Sequence, residues 1–278
     1  MDENRNSNIS SEHSEELLNI IENFRLMDDT FMSKVFEDKA CAELLLRVIL
    51  NRDDLTVVKV VSQFELKNLQ GRSARLDIYA VDEHGKQYDI EVQRSDDGAA
   101  PRRARYNSSL LDANLLNPGD KFDELPESYI IFITEHDVLK GGKPLYTVNR
   151  TISELDHAIF TDGSHIIYVN GEIRNGTALG ELMQDFFCKD PREMHYKVLS
   201  DRAGYFKKDK EGVDTMCKLV EDYGEKRARQ AAELASNERA VRMANNLWNK
   251  GERDLQQIAD LTDLPLDEVK KLFEGKTA

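Results

Sequence analysis

The chain has 278 residues, 40% of them hydrophobic and 32% charged, which excludes a disordered or fibrous protein and allows one ordinary core with a smaller appendage. Thirty-eight basic against 52 acidic residues leave a formal charge of −14, so a polyanion is repelled at long range and a nucleic-acid partner would need a local basic patch. No apolar run reaches the roughly 20 residues of a membrane span.

The opening "MDENRNSNISSEHSEE" lacks the basic and apolar regions of a signal peptide. Cys41, Cys188 and Cys217 have neither metal-ligand nor paired spacing. A cytoplasmic protein with reduced thiols and no membrane partner is expected. Residues 1–25 offer few apolar anchors and read as a flexible tail. From Leu26, Phe31 and Phe36 lead into Ala40, Leu44, Leu45, Val48 and Ile49 at helical spacing, with Asp38 as the cap. "LTVVKVVSQFELKN" is rich in β-branched residues and predicts a strand. "ARLDIYAVDEHGKQYDIEVQ", Ala74–Gln93, alternates on both sides of a loop containing Gly85 and predicts a hairpin.

"GAAPRRARYNSSLLDANLLNPGD" predicts a helix with Pro101 in its first turn and Asn117-Pro118-Gly119 as its stop. "SYIIFIT", Ser128–Thr134, is a short apolar run suited to a strand covered on both faces. A Gly141-Gly142 turn, "LYTVNRTI", a short helix near Ser153–Phe160 and a further strand, "HIIYVNG", follow. Helix, three strands, helix, strand is the order of an α/β protein with a mixed central sheet flanked by helices, assigned to 26–180.

Residues 181–215 mix breakers with charges and read as a connecting segment or short helices; 216–278 form an α-helical C-terminal region with Trp248 as an apolar anchor. Its last stretch, "LQQIADLTDLPLDEVKKLF", has the look of a small helix-turn-helix unit. Its second helix opens Pro265-Leu266-Asp267-Glu268, which caps a helix but repels phosphate, so packing or oligomerisation is expected there rather than DNA readout.

The hairpin carries the chemistry. A three-residue loop at Glu83-His84-Gly85 sets Asp77 opposite Glu91, with Cβ atoms about 5 Å apart. Carboxylates that close repel unless one is protonated or a cation bridges them, and hard oxygen ligands suit Mg²⁺ or Mn²⁺. Acids on a hairpin face also serve simply to keep an edge soluble, and a one-residue slip would set Val92 opposite Asp77; spacing alone does not choose. Asp89 shares the face of Glu91 and either joins the metal shell or, as the alternation favours, is solvent-exposed. Arg94, Arg102, Arg103 and Arg105 follow, with Tyr106 on the helix face of Arg102 and Arg103. That face either grips phosphates or is a solvated surface balanced by Asp96 and Asp97. The six histidines show no close ligand spacing.

"SARLDIYAVDEHGKQYDIEVQ", preceded by "FELKNLQG" and followed by "RRARYNSSLLDANLL", resembles the PD-(D/E)XK nuclease superfamily, and within it the transposase-like, recombination-promoting nuclease (Rpn) branch, over roughly Leu26 to Gly171. The resemblance implies a restriction-endonuclease-like αβββαβ core and Mg²⁺-dependent DNA endonuclease activity, with Mn²⁺ as a substitute and DNA as partner. It assigns Asp77 and Glu91 as catalytic metal ligands, Glu43 as a further metal-side acid and Gln93 to the catalytic lysine position; the arginine-rich helix face then places Arg102 or Arg103, with Tyr106, at the phosphate. A glutamine can orient water but brings no charge and cannot act as a base. The branch commonly reads E-x-Q here. Gln93 and the charge of −14 motivate the alternative, a weak or inactive relative serving as a nucleic-acid-binding or protein-interaction module. Another phosphodiester substrate is a third reading, and double-strand cutting would favour a homodimer.

Overall fold

The computed structural model describes residues 15–68 and 71–274, and residues 1–14 of the expected tail lie outside it. What is described of that tail is helical (α1, 15–23), with Leu17 and Ile21 buried. Helix α2 (Asp29–Val35) and helix α3 (Lys39–Leu50) follow. Asp38 caps α3 as expected, its Oδ1 accepting from the N–H groups of Ala40 (2.9 Å) and Cys41 (3.2 Å). The buried face of α3 is Cys41, Ala42, Leu45, Leu46 and Ile49, rotated from the one expected. The helix packs at once against the first strand and two later helices, so more than one narrow stripe is covered.

Strands β1 (Val57–Leu66), β2 (Ala74–Asp82) and β3 (Gln87–Gln93) form an antiparallel meander. Helix α4 (Pro101–Ala113) then crosses to β4 (Ser128–Thr134), which lies parallel to β3. Pro101 begins α4, where its missing N–H costs nothing. The helix stops four residues before Asn117, because the Asn114 side chain donates to Leu110 O (2.7 Å) and occupies the last turn.

Beyond β4 come β5 (Leu145–Val148), β6 (Thr151–Ile152), β7 (Ala158–Ile159) and β8 (Ser164–Asn170). The six-stranded sheet runs β1-β2-β3-β4-β8-β5, with β8 parallel to β4 and β5 an antiparallel edge. This is the mixed sheet with flanking helices that the element order predicts. The short helix expected near Ser153–Phe160 is a single 3-10 turn, Ser153–Leu155, and strands β6 and β7 on either side of it pair in a separate ribbon. Asp156 and His157 both have positive φ (49° and 58°), which a continuing helix does not tolerate.

Residues 181–215 contain the short helices that the sequence allows. They complete α5 (Ala178–Phe187) and form α6 (Lys197–Lys208), both packed on the core. Phe186 stacks on Phe36 at 5.7 Å, and Phe206 meets Phe31 edge-on at 6.5 Å. The breaker-rich stretch between the helices is pinned by Asp185, wholly buried, which accepts from the N–H groups of His195 (2.7 Å) and Tyr196 (2.9 Å). Lys207 is buried as well. Its ammonium donates to three main-chain carbonyls, Glu22 (3.0 Å), Phe24 (2.5 Å) and Lys189 (2.6 Å), and burial lowers its pKa to about 8.

The chain divides into two compact units, Met1–Cys217 and Lys218–Ala278. Helix α7 (Lys210–Asn249) crosses that boundary, and α8 (Leu255–Thr262) and α9 (Leu266–Phe273) close the second unit. Trp248 does act as the anchor: it stacks on Phe273 at 4.3 Å in a small core with Ala244, Ile258, Leu264 and Val269. Among the described residues no helix is long and apolar enough to cross a membrane.

Phe186→Ala removes a fully buried ring that joins α5 to the α2–α3 corner. It should cost about 3–5 kcal/mol, read as a lower urea midpoint at unchanged slope.

Candidate acidic site beside helix α4

The β2–β3 ladder pairs Ile78 with Ile90, Tyr79 with Asp89, Ala80 with Tyr88 and Val81 with Gln87, which is the register a loop at Glu83–Gly85 requires. Asp82 N donates to Lys86 O (3.2 Å) to close the loop, and Gly85 takes the left-handed conformation (φ 79°) that the reversal needs. Continued by one residue, this register faces Asp77 toward Glu91. The strands there are joined through a side chain: Val92 N donates to Asp77 Oδ2 at 3.1 Å.

Helix α4 lies over this face, and its spacing matches the strand beneath. Arg103 and Asn107 are one turn apart, about 6 Å along the axis, and Asp89 and Glu91 are separated by about 6.6 Å along β3. Arg103 Nη2 accordingly donates to Glu91 Oε2 at 2.6 Å, and Asn107 Nδ2 donates to Asp89 Oδ2 at 3.1 Å. Gln93 Nε2 donates to the same Glu91 oxygen at 3.2 Å. Both Asp89 and Glu91 are completely buried. Asp89 is therefore not the solvent-facing acid that alternation predicts. Neither Asp89 Oδ1 nor Glu91 Oε1 has a hydrogen-bond partner.

This crowding shows in the protonation equilibria. Burial, then the charge of Glu91, pushes Asp77 up to about 8, and Asp29 adds to the rise. Asp89 is pushed well above the usual carboxylate range by burial and then by Glu91. Burial also raises Glu91, but the Arg103 charge opposes it. One cation thus stands among several acids, and its contact is with Glu91.

The remaining expected site residues are dispersed. Glu43 is not with the acids: its Oε2 accepts from Val57 N (2.9 Å) and its Oε1 pairs with Arg47 (2.8 Å), tying α3 to the start of β1. Asp29, at the first turn of α2, is the acid from the helical layer whose charge reaches Asp77. In the sequence it looks like any acid complementing a helix N-terminus. Arg102 is exposed, one residue from Arg103 but directed elsewhere. The Tyr106 hydroxyl donates to Arg72 O and accepts from Asn68 Nδ2 (3.2 Å), joining α4 to the β1–β2 turn. Arg94 is held by Asp28 (2.9 Å) and Glu135 (3.2 Å). Gly98 was missed altogether: a Cβ there would lie 2.0 Å from Gln93 Oε1, so its bareness makes room for the Gln93 amide.

The donor chemistry suits a divalent cation, since all the acids offer hard oxygens and two buried oxygens are unsatisfied. The placement does not. Among the described residues no three Asp, Glu, His or Cys side chains are arranged to hold an ion. Arg103 already neutralises Glu91. As arranged, these residues do not fit Mg²⁺.

Two outcomes follow. A carboxyl whose folded pKa lies above its unfolded value binds a proton preferentially in the native state, so stability is lost as pH rises from about 4 toward about 8. Asp77→Asn removes that loss, and its melting temperature should gain on the wild type at pH 8 relative to pH 5. Gly98→Ala should displace the flexible Gln93 amide with little loss of fold, seen as an altered side-chain amide resonance for Gln93 with the melting temperature nearly kept.

Comparison with family models matches residues 33–177, just over half of the chain, to the family described as PD-(D/E)XK nuclease family transposase. Comparisons with curated proteins and with solved structures return no match. The matched span runs from α2 through β8 and includes Asp77, Asp89, Glu91, Gln93 and Arg103. With its αβββαβ order, its mixed sheet and its D…E-x-Q hairpin, this chain belongs to the transposase-like branch of the PD-(D/E)XK nuclease superfamily.

Proposed function

We propose that the chain is a nucleic-acid-binding member of this family with weak hydrolytic capacity, its acidic centre closed by Arg103. The observation that carries the reading is the 2.6 Å contact of Arg103 with the buried Glu91 carboxylate, where family chemistry calls for a divalent ion. Gln93 supports it, because a neutral amide bonded to that same oxygen neither supplies charge to a phosphate nor takes a proton from water.

A basic rim supports the choice of ligand. Arg102 and Arg105 on α4 and Lys67, Arg72 and Arg75 at the β1–β2 turn are exposed, and the Tyr106–Arg72 bond joins the two segments. Such a rim provides the local attraction that a chain of charge −14 needs. A second reading, Mg²⁺-dependent DNA endonuclease activity, is favoured by the unsatisfied oxygens on Asp89 and Glu91, which a cation would engage.

Fluorescence anisotropy with labelled single- and double-stranded DNA and RNA tests the first reading. Binding should weaken in Arg102→Ala/Arg105→Ala, with the salt slope falling by about 0.9 for each duplex phosphate that is no longer neutralised. Absence of binding by wild type at low salt overturns it. Supercoiled plasmid with Mg²⁺ or Mn²⁺ separates the two readings. Nicking by wild type that disappears in Asp77→Asn and Glu91→Gln establishes the endonuclease.

A further inference from the structure

We propose that the ring of Tyr106 is a stacking seat for an unpaired base, so that the ligand held by the basic rim is single-stranded nucleic acid or a duplex carrying unpaired bases. The inference rests on the nucleic-acid reading above and adds to it the form of the ligand.

Three observations carry it. First, Tyr106 stands within the rim. Arg102 precedes it by one turn of α4, Arg105 is its neighbour in sequence, and Arg72 lies across from it on the β1–β2 turn. Second, its polar end is committed to the fold. The only proton of the hydroxyl goes to Arg72 O, and the same oxygen accepts from Asn68 Nδ2 at 3.2 Å. A phosphate is an acceptor and finds no proton there. What Tyr106 has left to offer a ligand is its ring. Third, the residue is 37% exposed while fastened at both ends, by its Cα in α4 and by its hydroxyl at the turn. A ring held in this way loses little rotamer freedom when a base settles on it.

The arginines and the tyrosine divide the work. Lys67, Arg72, Arg75, Arg102 and Arg105 are exposed and attract phosphates whatever the strand's form or sequence. Stacking on an aromatic face needs a base that is out of its own stack, and in a duplex that requires unpairing it first. The ring therefore supplies the preference that the cations lack. Arg103 lies three residues before Tyr106, about 4.5 Å along the helix axis, and is bound to Glu91. A strand with one base on the ring thus runs beside the acidic centre.

Fluorescence anisotropy on the full chain, at one low salt concentration, tests the seat. It compares labelled oligothymidylate, a chain of the same length with abasic sites in place of its bases, and a blunt duplex. Wild type should bind oligothymidylate about tenfold tighter than the abasic chain, the effect of one stacked base. Tyr106→Leu should lose that difference while its duplex affinity stays within about twofold of wild type, because the phosphate contacts remain. Tyr106→Phe keeps the ring without the hydroxyl bonds and should retain the difference. Equal binding of oligothymidylate and the abasic chain by wild type overturns the proposal, as does a difference that survives in Tyr106→Leu. A Tyr106→Phe chain that loses the difference, or a Tyr106→Leu chain that loses the duplex as well, also overturns it, because the tyrosine then serves only to hold the turn. Duplex binding by wild type leaves the reading of the rim standing in each of these cases, whereas binding of none of the ligands overturns both.

Discussion

A buried carboxylate has to be answered by a charge, and in this protein the answer comes from twelve residues further along the chain. Glu91 sits on β3 in the middle of the sheet, and the guanidinium that meets it stands on the helix that crosses from β3 to β4. Nearby geometry is arranged to make that meeting occur. Pro101 starts α4 just ahead of Arg103, Gly98 clears space for Gln93, and the turn from 103 to 107 matches the two-residue step from 91 to 89. The helix thus addresses two acids at once, one with a cation and one with an amide.

The charge distribution follows the same pattern. The chain is strongly acidic overall, yet around this face Arg94, Arg102, Arg103, Arg105, Arg72 and Arg75 stand near one another in two segments that Tyr106 joins. Their tasks differ. Arg94 is tied to Asp28 and Glu135, Arg103 to Glu91, and Arg102 and Arg105 point to solvent. Equal residue types within twelve positions are sorted into structural and surface cations by which strand or helix end lies beneath them.

Much of this was legible from the residues in order. Strand periodicity, the Gly85 loop and the Asp38 and Pro101 signals are local, and local signals carried the hairpin register, the α3 cap and the start of α4. What was not legible depends on which surface is laid over which. Asp89 alternates like an exposed residue because the pattern of β3 contains no sign that Asn107 will cover it. Glu43 lies on the expected helix but points to the start of β1, and Asp29, on the preceding helix α2, is the acid whose charge reaches Asp77. Residues 188–196 look like a linker because the group that orders them, Asp185, precedes them and works through main-chain donors that no residue type announces.

Lys207 has a consequence for how the molecule comes into being. Its ammonium gathers carbonyls at 22, 24 and 189, so the turn after α1 is secured by a side chain translated more than 180 residues later. On the ribosome the sheet strands emerge, and have time to pair, while that early turn still waits for its partner. That turn is therefore closed only after residues 189 and 207 have been made, later in the chain than every strand of the sheet.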